Sequence, residues 1–391
     1  MINRKMTIKD FPIGFYDDLH PDFSINFQMN RFYNWSNDHD MLNEMRKVSP
    51  SIHSYAEYID TFLGLSKKAL SDGHQLKAAY YLRGAEFYMP TSDPKKHTSR
   101  KQFISLMQEY FDIKQDQQHK IPYESGFLSA YRLVPDHPRG RIVLFGGFDS
   151  YVEELFLMAI IMKDAGYEVI CFDGPGQGAT LEDNSIPMTH EWEKPVKSVL
   201  DFFNLDNVTL IGISLGGYLV VRAAAFESRI QRVIADDICA DFYKVLLRQI
   251  PDNFRDKFHN LMVSERSGEV NSIFEEFMGK SLMLEWGINQ GMHVTGSQTP
   301  YEFMRKLMSY NTTEISPLLS QDVLLMAAQN DHYIPLNQFF EQSQTLVNVR
   351  SLTTRMFTKK EQAHNHCHIG NIGLSIDVML NWIQQMESKE S

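Results

Sequence analysis

Cysteine is scarce in this sequence. Its 391 residues include three cysteines, which are far apart at Cys171, Cys239 and Cys367. Such a set builds no disulfide framework, contains no C-x-x-C metal-binding spacing and fits a reducing compartment. The disulfide-rich class of small secreted proteins is therefore excluded.

The sequence also has fewer basic than acidic residues and contains no long apolar run. The chain has 38 lysine and arginine residues against 49 aspartate and glutamate residues, a net charge of -11, and contains no basic block. This charge repels phosphate backbones and anionic lipid surfaces, so we expect neither nucleic acid nor membrane as a partner. The first 14 residues lack the apolar core of a signal peptide, and no apolar run is long enough to span a membrane. We therefore expect a cytoplasmic protein.

What the sequence does contain is the composition of a globular protein. Hydrophobic residues make up 43% and charged residues 22% of the chain, and both fractions lie near globular averages. At roughly 150 residues per domain, the length predicts two domains, or one large domain with added segments.

Residues 1–118 are predicted to form a helical N-terminal domain. Apolar side chains recur there at helical spacing, as at Tyr55, Tyr58 and Phe62, without a convincing strand pattern. The first 35 residues contain eight aromatics, more than a short helical segment needs for its own core. We therefore predict that some of them reach the substrate pocket.

Residues 119–391 contain β-branched and aromatic runs that alternate with helical stretches. This alternation predicts an α/β fold with a mainly parallel sheet. The eight strands are predicted at residues 121–124, 128–134, 141–147, 167–173, 208–213, 232–237, 323–329 and 351–357. Helices are predicted at residues 152–165, 190–203, 215–227 and 372–386.

Residues 239–315 interrupt the alternation with a helical segment that contains six methionines and many aromatics. The segment is too long for a plain loop, and insertions of this kind are usually functional. We predict a helical cap, inserted between two strands of the sheet. Its methionine and aromatic content predicts an apolar, adaptable pocket.

Residues 212–216, Gly-Ile-Ser-Leu-Gly, fit the pattern G-x-S-x-G. This pattern marks a strained turn between a strand and a helix, which lifts a serine above the carboxyl end of the strand. An apolar run precedes the motif at 208–211 and a helix-forming run follows it at 218–224. This context favours a nucleophile over an ordinary turn with an inert serine. We predict that Ser214 is the nucleophile.

A serine nucleophile needs a base within hydrogen-bond reach and a carboxylate that orients the base. Enzymes with this turn supply both later in the chain, in the order serine, acid, histidine. Asp331 follows the predicted strand 323–329 and so lies at the same sheet edge as Ser214, whereas Asp322 precedes that strand. Asp331 is therefore the predicted acid.

Three histidines follow the last predicted strand, and spacing alone does not choose the base among them: His364, His366 and His368. Together with Cys367 they are also zinc-ligand types. Ligands this close in sequence rarely reach tetrahedral geometry by themselves, so we predict a base from this group and no metal.

An alkoxide that develops during acyl transfer needs backbone N–H donors around it. The N–H of Leu215, which follows the nucleophile, is one predicted donor. After the strand 141–147, the pair Gly146-Gly147 lets the backbone approach a ligand, so the N–H of Phe148 is the second predicted donor. A tight turn without a role in binding is the alternative for this glycine pair.

Five segments of the sequence resemble one group of α/β-hydrolases. They hold the glycine pair, an aspartate-glycine turn, the nucleophile motif, the acid and the base, at residues 146–154, 173–178, 212–217, 330–335 and 366–371. The group includes the fermentation-respiration switch esterase, 2,6-dihydroxypseudooxynicotine hydrolase, fungal polyketide-shortening hydrolases and proteins labelled acylaminoacyl peptidases. The resemblance covers residues 120–386 well and the N-terminal region more loosely.

The resemblance implies an α/β-hydrolase fold whose N-terminal helical domain closes over the site, and often a homodimer. In this group the base precedes a cysteine, which selects His366, and His368 stands where a glutamine is usual. Glu153 resembles an acidic residue near the site of the carbon–carbon bond hydrolase of the group. A carboxylate favoured by a helix N-terminus explains Glu153 equally well, and the same two interpretations apply to Asp149. No cofactor is implied.

These residues predict a serine hydrolase that acts on a small molecule by acyl transfer. Esterase and carbon–carbon bond hydrolase are the two enzymatic outcomes. Acylaminoacyl peptidase activity is less well supported, because peptidases of the prolyl-oligopeptidase type carry a β-propeller where this chain has helices. A hydrolase-fold binding or regulatory protein without turnover is the alternative from another class, and the filled triad positions argue against it.

Overall fold

The computed structural model describes residues 7–390, and these residues form one eight-stranded sheet. Each strand overlaps a predicted one, so the α/β architecture is confirmed. The strands are β1 (Gln118–Tyr123), β2 (Gly126–Leu133), β3 (Gly140–Phe145), β4 (Tyr167–Asp173), β5 (Val208–Ile213), β6 (Ile230–Asp236), β7 (Asp322–Ala328) and β8 (Ser351–Phe357).

The strand order is β1-β2-β4-β3-β5-β6-β7-β8. Strand β2 is antiparallel to both β1 and β4, and every neighbouring pair from β4 to β8 is parallel. The carboxyl ends of β3, β5, β6, β7 and β8 therefore share one edge of the sheet. The loops that follow these strands meet at that edge, where ligands bind in open α/β sheets.

Alternate side chains of the central strands point to opposite faces of the sheet, and both faces are covered. In β3, Ile142 and Leu144 belong to one apolar core, whereas Val143 and Phe145 belong to the other. Because both faces are buried, these strands have nearly continuous apolar sequences.

The region before β1 is helical, as predicted. Asp22, Ser54 and Asp93 each accept a hydrogen bond from a backbone N–H in the first turn of the helix that follows, which satisfies a donor that the helix itself leaves unpaired. The helices are α1 (Phe23–Ser36), α2 (Asp40–Val48), α3 (Tyr55–Ser71), α4 (Gln75–Tyr88) and α5 (Pro94–Tyr110).

The apolar core of these N-terminal helices is continuous with the core on one face of the sheet. Residues near the two ends of the described chain also contact each other. The Gly14 N–H donates to the Gly370 carbonyl at 2.7 Å, and the Gly370 N–H donates to the Asn34 side chain at 3.0 Å. The predicted boundary after residue 118 falls at the start of β1, and the division into two domains stays a prediction.

The remaining helices follow the predicted pattern, with ends shifted by a few residues. Residues 152–155 of the helix predicted at 152–165 form a 3₁₀ turn, and the helix predicted from 190 begins at 193. Before the cap lie α6 (Phe156–Asp164), α7 (Gly178–Glu182), α8 (Glu193–Phe203) and α9 (Gly216–Phe226).

A helical insertion lies between β6 and β7, where the cap is predicted. It contains α10 (Phe242–Leu247), α11 (Asp252–Val263), α12 (Ser267–Met278), α13 (Leu282–Thr295) and α14 (Pro300–Leu307). Two helices complete the fold, α15 (Asn337–Thr345) and α16 (Ile372–Glu390). Among the described helices, none combines the length and the apolarity that a membrane crossing requires.

Candidate active site

Ser214 lies in a tight turn between β5 and α9, at the carboxyl edge of the sheet. Its backbone is left-handed, with φ of 63°, and its N–H donates to the Asp236 carbonyl at 2.6 Å. A Cβ at Gly212 would lie 2.2 Å from the Gly216 carbonyl oxygen, so only glycine fits there. The turn thus has the strained geometry that the G-x-S-x-G pattern requires.

The structure brings the three predicted triad residues together. Ser214 Oγ lies 2.8 Å from His366 Nε2, and His366 Nδ1 lies 2.6 Å from Asp331 Oδ2. The other carboxylate oxygen of Asp331 accepts hydrogen bonds from the N–H groups of Tyr333 and Ile334, at 2.7 and 2.9 Å. These bonds fix the carboxylate, so that it orients the imidazole toward the serine.

Asp331 and His366 shift each other's pKa. Burial by itself would raise the pKa of Asp331, but attraction to His366 prevails and lowers it to about 2. Burial would likewise lower the pKa of His366, and attraction to Asp331 instead raises it well above the usual 6.5. The imidazole is therefore a stronger base than a free histidine, as proton removal from a serine hydroxyl requires.

His364 and His368 lie elsewhere, although spacing alone does not separate them from His366. The carbonyl of His364 accepts a hydrogen bond from the Asn330 N–H at 2.8 Å, and its ring does not line the cavity next to Ser214. His368 is fully buried beneath the site, with Nε2 2.6 Å from Asp236 Oδ1. Of the three histidines, His366 is the one that meets Ser214.

The two segments that carry the predicted oxyanion donors lie close to each other beside Ser214. A Cβ at Gly147 would lie 2.8 Å from the Leu215 nitrogen, so the glycine lets the loop after β3 approach the nucleophile turn. Gln177 Nε2 donates to the carbonyls of Gly146 and Gly147, at 2.9 and 2.7 Å, and holds this loop in place. The backbone around Phe148 is thereby fixed beside Leu215.

Asp149 and Glu153 have different surroundings. Asp149 lines the cavity and pairs with Arg31 of α1 at 3.1 Å. Glu153 does not line the cavity: it is buried, accepts a hydrogen bond from the Tyr131 hydroxyl at 2.8 Å, and has a pKa raised by burial. Of the two adjacent glutamates, Glu154 rather than Glu153 lines the cavity, and a role of Glu153 in substrate binding stays a prediction.

Glu154 joins the loop after β3 to the N-terminal helices through buried ion pairs. Its two oxygens accept from Arg31 and Arg83, each at 2.8 Å, and Arg83 also donates to the Asp149 carbonyl at 2.5 Å. Arg83 further pairs with Glu86 at 2.6 Å. Two helices thus hold the loop that carries the predicted Phe148 donor.

A mostly apolar cavity of about 150 Å³ lies next to Ser214. Its walls come from α1, from the loops at the sheet edge and from the cap. The residues of α1 are Phe27, Gln28, Arg31 and Trp35, and those of the cap include Phe242, Val245, Leu246, Met283, Leu284 and Trp286. Two N-terminal aromatics therefore reach the cavity, and the cap supplies apolar walls.

Sequence reasoning misses Asp236 and Asp237, which lie beneath the triad at the end of β6. Both are buried, and His368 Nε2 is 2.6 Å from Asp236 Oδ1 and 3.3 Å from Asp237 Oδ1. The signal is present in the sequence, because the two aspartates end the predicted strand 232–237 at the same sheet edge as Ser214.

Two groups of metal-ligand side chains occur among residues 7–390: Asp237 with His366 and Cys367, and Asp236 and Asp237 with His368. Neither includes His364, so the structure does not gather the segment 364–368 into one ligand set. In the first group the two ring nitrogens of His366 already have partners: Nε2 contacts Ser214 and Nδ1 contacts Asp331.

The sheet topology and the turn at Ser214 define the class of protein, and sequence comparison agrees with them. The chain belongs to the alpha/beta hydrolase fold family, which matches residues 144–352.

Curated relatives include fungal hydrolases. Hydrolase acrC of Aspergillus aculeatus is 27% identical over 273 residues, which make up 62% of this chain. The match spans 63% of that relative, less than two thirds of its length. The 20-hydroxy-prefusarin hydrolase FUS2 of Gibberella moniliformis is 27% identical over 293 residues, 68% of this chain and 69% of the relative.

Among solved structures, the crystal structure of 2,6-dihydroxy-pseudo-oxynicotine hydrolase is similar over 91% of this chain and 94% of its own, with a TM-score of 0.62 and 18% identity. A likeness with this coverage shows that the two proteins share the fold.

Proposed function

We propose that this protein is a serine hydrolase in which Ser214 is the nucleophile, His366 the base and Asp331 the acid. The observation that carries the proposal is the hydrogen-bonded chain from Ser214 through His366 to Asp331, which adjoins a mostly apolar cavity. A nucleophile, a base and a group that orients the base are the three parts that acyl transfer to serine needs.

In the proposed reaction, His366 Nε2 takes the proton of Ser214 as Oγ attacks the substrate carbonyl carbon. The alkoxide that forms is held by the N–H groups of Leu215 and Phe148. His366 then gives its proton to the leaving group, which departs and leaves an acyl group on Ser214. Water attacks this acyl group with His366 again as the base, and the acid is released.

The cavity favours an uncharged substrate. Its lining residues include one arginine and no lysine, and that arginine, Arg31, is paired with the carboxylates of Asp149 and Glu154. A volume of about 150 Å³ matches an apolar cavity that holds a benzene molecule. We therefore propose that the enclosed part of the substrate is a small aryl or branched acyl group.

We propose ester or amide cleavage as the first candidate reaction and carbon–carbon bond cleavage as the second. Burial would raise the pKa of Glu154, but Arg31 and Arg83 prevail and lower it. Glu154 therefore stays ionised and is a poor proton donor to a carbon leaving group. His366 is therefore the group that would protonate the leaving group, whichever bond is cleaved. Within the family, we propose membership of the group of esterases and carbon–carbon bond hydrolases that the five motif segments resemble.

A fluorophosphonate probe tests the nucleophile directly. We expect the probe to label the intact protein and the Ser214→Ala variant to remain unlabelled. A panel of p-nitrophenyl esters, acyl-amino-acid amides and aryl diketones, run with both proteins, then identifies the bond that is cleaved. We expect the esters to turn over fastest.

Two results would contradict the proposal. Equal labelling of the Ser214→Ala variant would mean that the probe reacts elsewhere. Absence of both labelling and turnover in the folded protein would favour a binding or regulatory protein with a hydrolase fold.

A further inference from the structure

A second carboxylate, that of Asp237, lies next to the proposed base. Asp237 follows the last residue of β6 and is buried, and its Oδ2 is 3.8 Å from His366 Nδ1. This is the same ring nitrogen that Asp331 contacts at 2.6 Å. His366 is therefore faced by two carboxylates, which come from the ends of two neighbouring strands.

Asp237 also contacts the backbone next to the base. The Cys367 N–H donates to Asp237 Oδ2 at 2.9 Å, and Cys367 has a left-handed backbone with φ of 51°. A non-glycine residue needs support from its surroundings to keep this conformation. The hydrogen bond to Asp237 supplies such support one residue away from His366.

The ends of β6 and β7 hold the two carboxylates at fixed positions. The Ile238 N–H donates to the Met326 carbonyl at 3.1 Å, across the two strands. Asp237 and Asp331 both line a small cavity of about 10 Å³ between these strand ends. Loss of the Asp331 side chain would therefore leave the Asp237 carboxylate, 3.8 Å from His366 Nδ1, as the one that faces this nitrogen.

His368 favours the ionised form of the second carboxylate. Burial by itself would lower the pKa of His368, but Asp237 and Asp236 prevail and raise it to about 9, so His368 is a cation near neutral pH. Burial raises the pKa of Asp237 to about 7, with His368 opposing the shift. Above that pH the carboxylate is ionised.

We propose that Asp237 is a positioning residue for His366. It fixes the loop of the base through the Cys367 N–H, and it supplies a second negative charge to the imidazolium that forms during acyl transfer. When Asp331 is absent, Asp237 takes over part of its role. This inference rests on the proposed serine hydrolase function.

A double-mutant cycle in the full-length chain tests this proposal, with kcat/KM for a p-nitrophenyl ester as the measured quantity. Asp331→Ala is preferred to Asp331→Asn, because an asparagine amide can hold the imidazole in the wrong tautomer. We expect Asp331→Ala to lower kcat/KM by a factor on the order of 10⁴. Asp237→Asn keeps an oxygen that can accept the Cys367 N–H. We expect it to lower kcat/KM less than about tenfold in the unaltered protein, but about tenfold or more in the Asp331→Ala background.

Asp236→Asn is the matched control. It removes a carboxylate from the adjacent position that pairs with the same His368, and should have the same effect in both backgrounds. If Asp237→Asn also has equal effects in both backgrounds, the proposal is overturned.

The pH profile gives a readout that a purely structural role would not move. The titratable groups that face Asp237 are His366, Cys367 and His368 from the loop after β8, Asp331 from the loop after β7, and Asp236 from its own strand. Burial lowers the pKa of His366, and Cys367 raises it together with Asp331, so the share of Asp237 is the part of the midpoint that is lost when Asp237 is replaced. We expect the residual activity of Asp331→Ala to rise with pH through a midpoint above 6.5, and the midpoint to fall when Asp237→Asn is added.

The Asp331→Ala profile needs no change at Asp237, so it can still overturn the proposal if Asp237→Asn fails to fold. A midpoint at or below 6.5 in Asp331→Ala overturns the proposal. Failure of the serine hydrolase function itself is distinguishable, because it appears as unchanged labelling or turnover in Ser214→Ala.

Discussion

Arg31 Nη2 lies 2.8 Å from Glu154 Oε2 and joins the first helix of the chain to the turn after β3. The Glu154 side chain is buried and that of Arg31 is 11% exposed, and Arg31 also contacts Asp149 at 3.1 Å. The loop with the proposed Phe148 donor is therefore positioned by a residue more than one hundred positions earlier in the sequence.

Replacement of Arg31 by methionine should lower both stability and turnover. The change leaves Asp149 without this cation and Glu154 with Arg83 alone, and loss of one partner of a buried ion pair costs about 3–5 kcal/mol. Displacement of the loop should also lower kcat by about tenfold or more, because catalysis is sensitive to misplacement of about 1 Å. Urea unfolding and steady-state kinetics measure the two effects.

Arg46→Met is the matched control for this variant, because the pair of Arg46 with Asp18 is exposed and exposed pairs contribute little. Arg31→Lys should fall between Arg31→Met and the unaltered protein, since lysine keeps the charge but does not reproduce the two-pronged contact. Equal stability and equal kcat of Arg31→Met and Arg46→Met would show that the pair has no positioning role.

Replacement of the triad residues should separate His366 from the other two histidines. We expect Ser214→Ala, Asp331→Asn and His366→Ala each to lower kcat by a factor on the order of 10³ or more. His364→Ala should lose much less, because its ring does not reach the cavity. His368→Ala should mainly lower the free energy of unfolding, since it leaves two buried aspartates without their cation. A loss of kcat in His364→Ala that equals the loss in His366→Ala would mean that the base is misassigned.

The activity should increase with pH through a midpoint above 6.5. The base works only in its neutral form, and the attraction of Asp331 raises the pKa of His366 above its usual value. Protonation therefore removes activity as the pH falls through this raised pKa. Asp331, with a pKa lowered to about 2, remains ionised throughout that range. The measurement is kcat/KM against pH for an ester that does not itself titrate, and a midpoint below 6.5 would contradict the assignment.

Chelation should leave the activity unchanged. In the proposed mechanism the N–H groups of Phe148 and Leu215, rather than a Lewis acid, stabilise the alkoxide. Dialysis against EDTA followed by an esterase assay makes the test, with Ser214→Ala as the inactive reference. A loss of activity that zinc restores would instead point to Asp237, His366 and Cys367 as a metal site.

The secondary structure can be predicted from the sequence, because the spacing of apolar residues and the residue types in turns are local signals. They predict all eight strands and place the Ser214 turn on a strand–helix junction. They do not predict that β2 pairs with β4 in antiparallel fashion, because strand pairing depends on distant parts of the chain.

Site residues can be predicted from the sequence where a particular residue type follows a strand. They are predicted less well where the outcome depends on which way a side chain points. Glu153 and Glu154 are adjacent in a 3₁₀ turn, and no sequence period tells which of them faces the cavity. The Glu153 carboxylate is buried against Tyr131, away from the cavity. Arg31 and Arg83 hold the Glu154 carboxylate at the cavity wall. Both arginines lie far away in the sequence, so this outcome depends on tertiary packing alone.

The contact between the two ends of the described chain has a consequence for synthesis on the ribosome. The Gly14 N–H finds its acceptor at Gly370, and Phe11 packs beside Gly373 at the start of α16. Gly370 leaves the ribosome more than three hundred positions after Gly14, whereas domains that fold as local units complete themselves as they emerge. Phe11 finds Trp35 of α1 earlier, at 5.7 Å between ring centroids, but the Gly14 N–H must wait for its acceptor until Gly370 has been made.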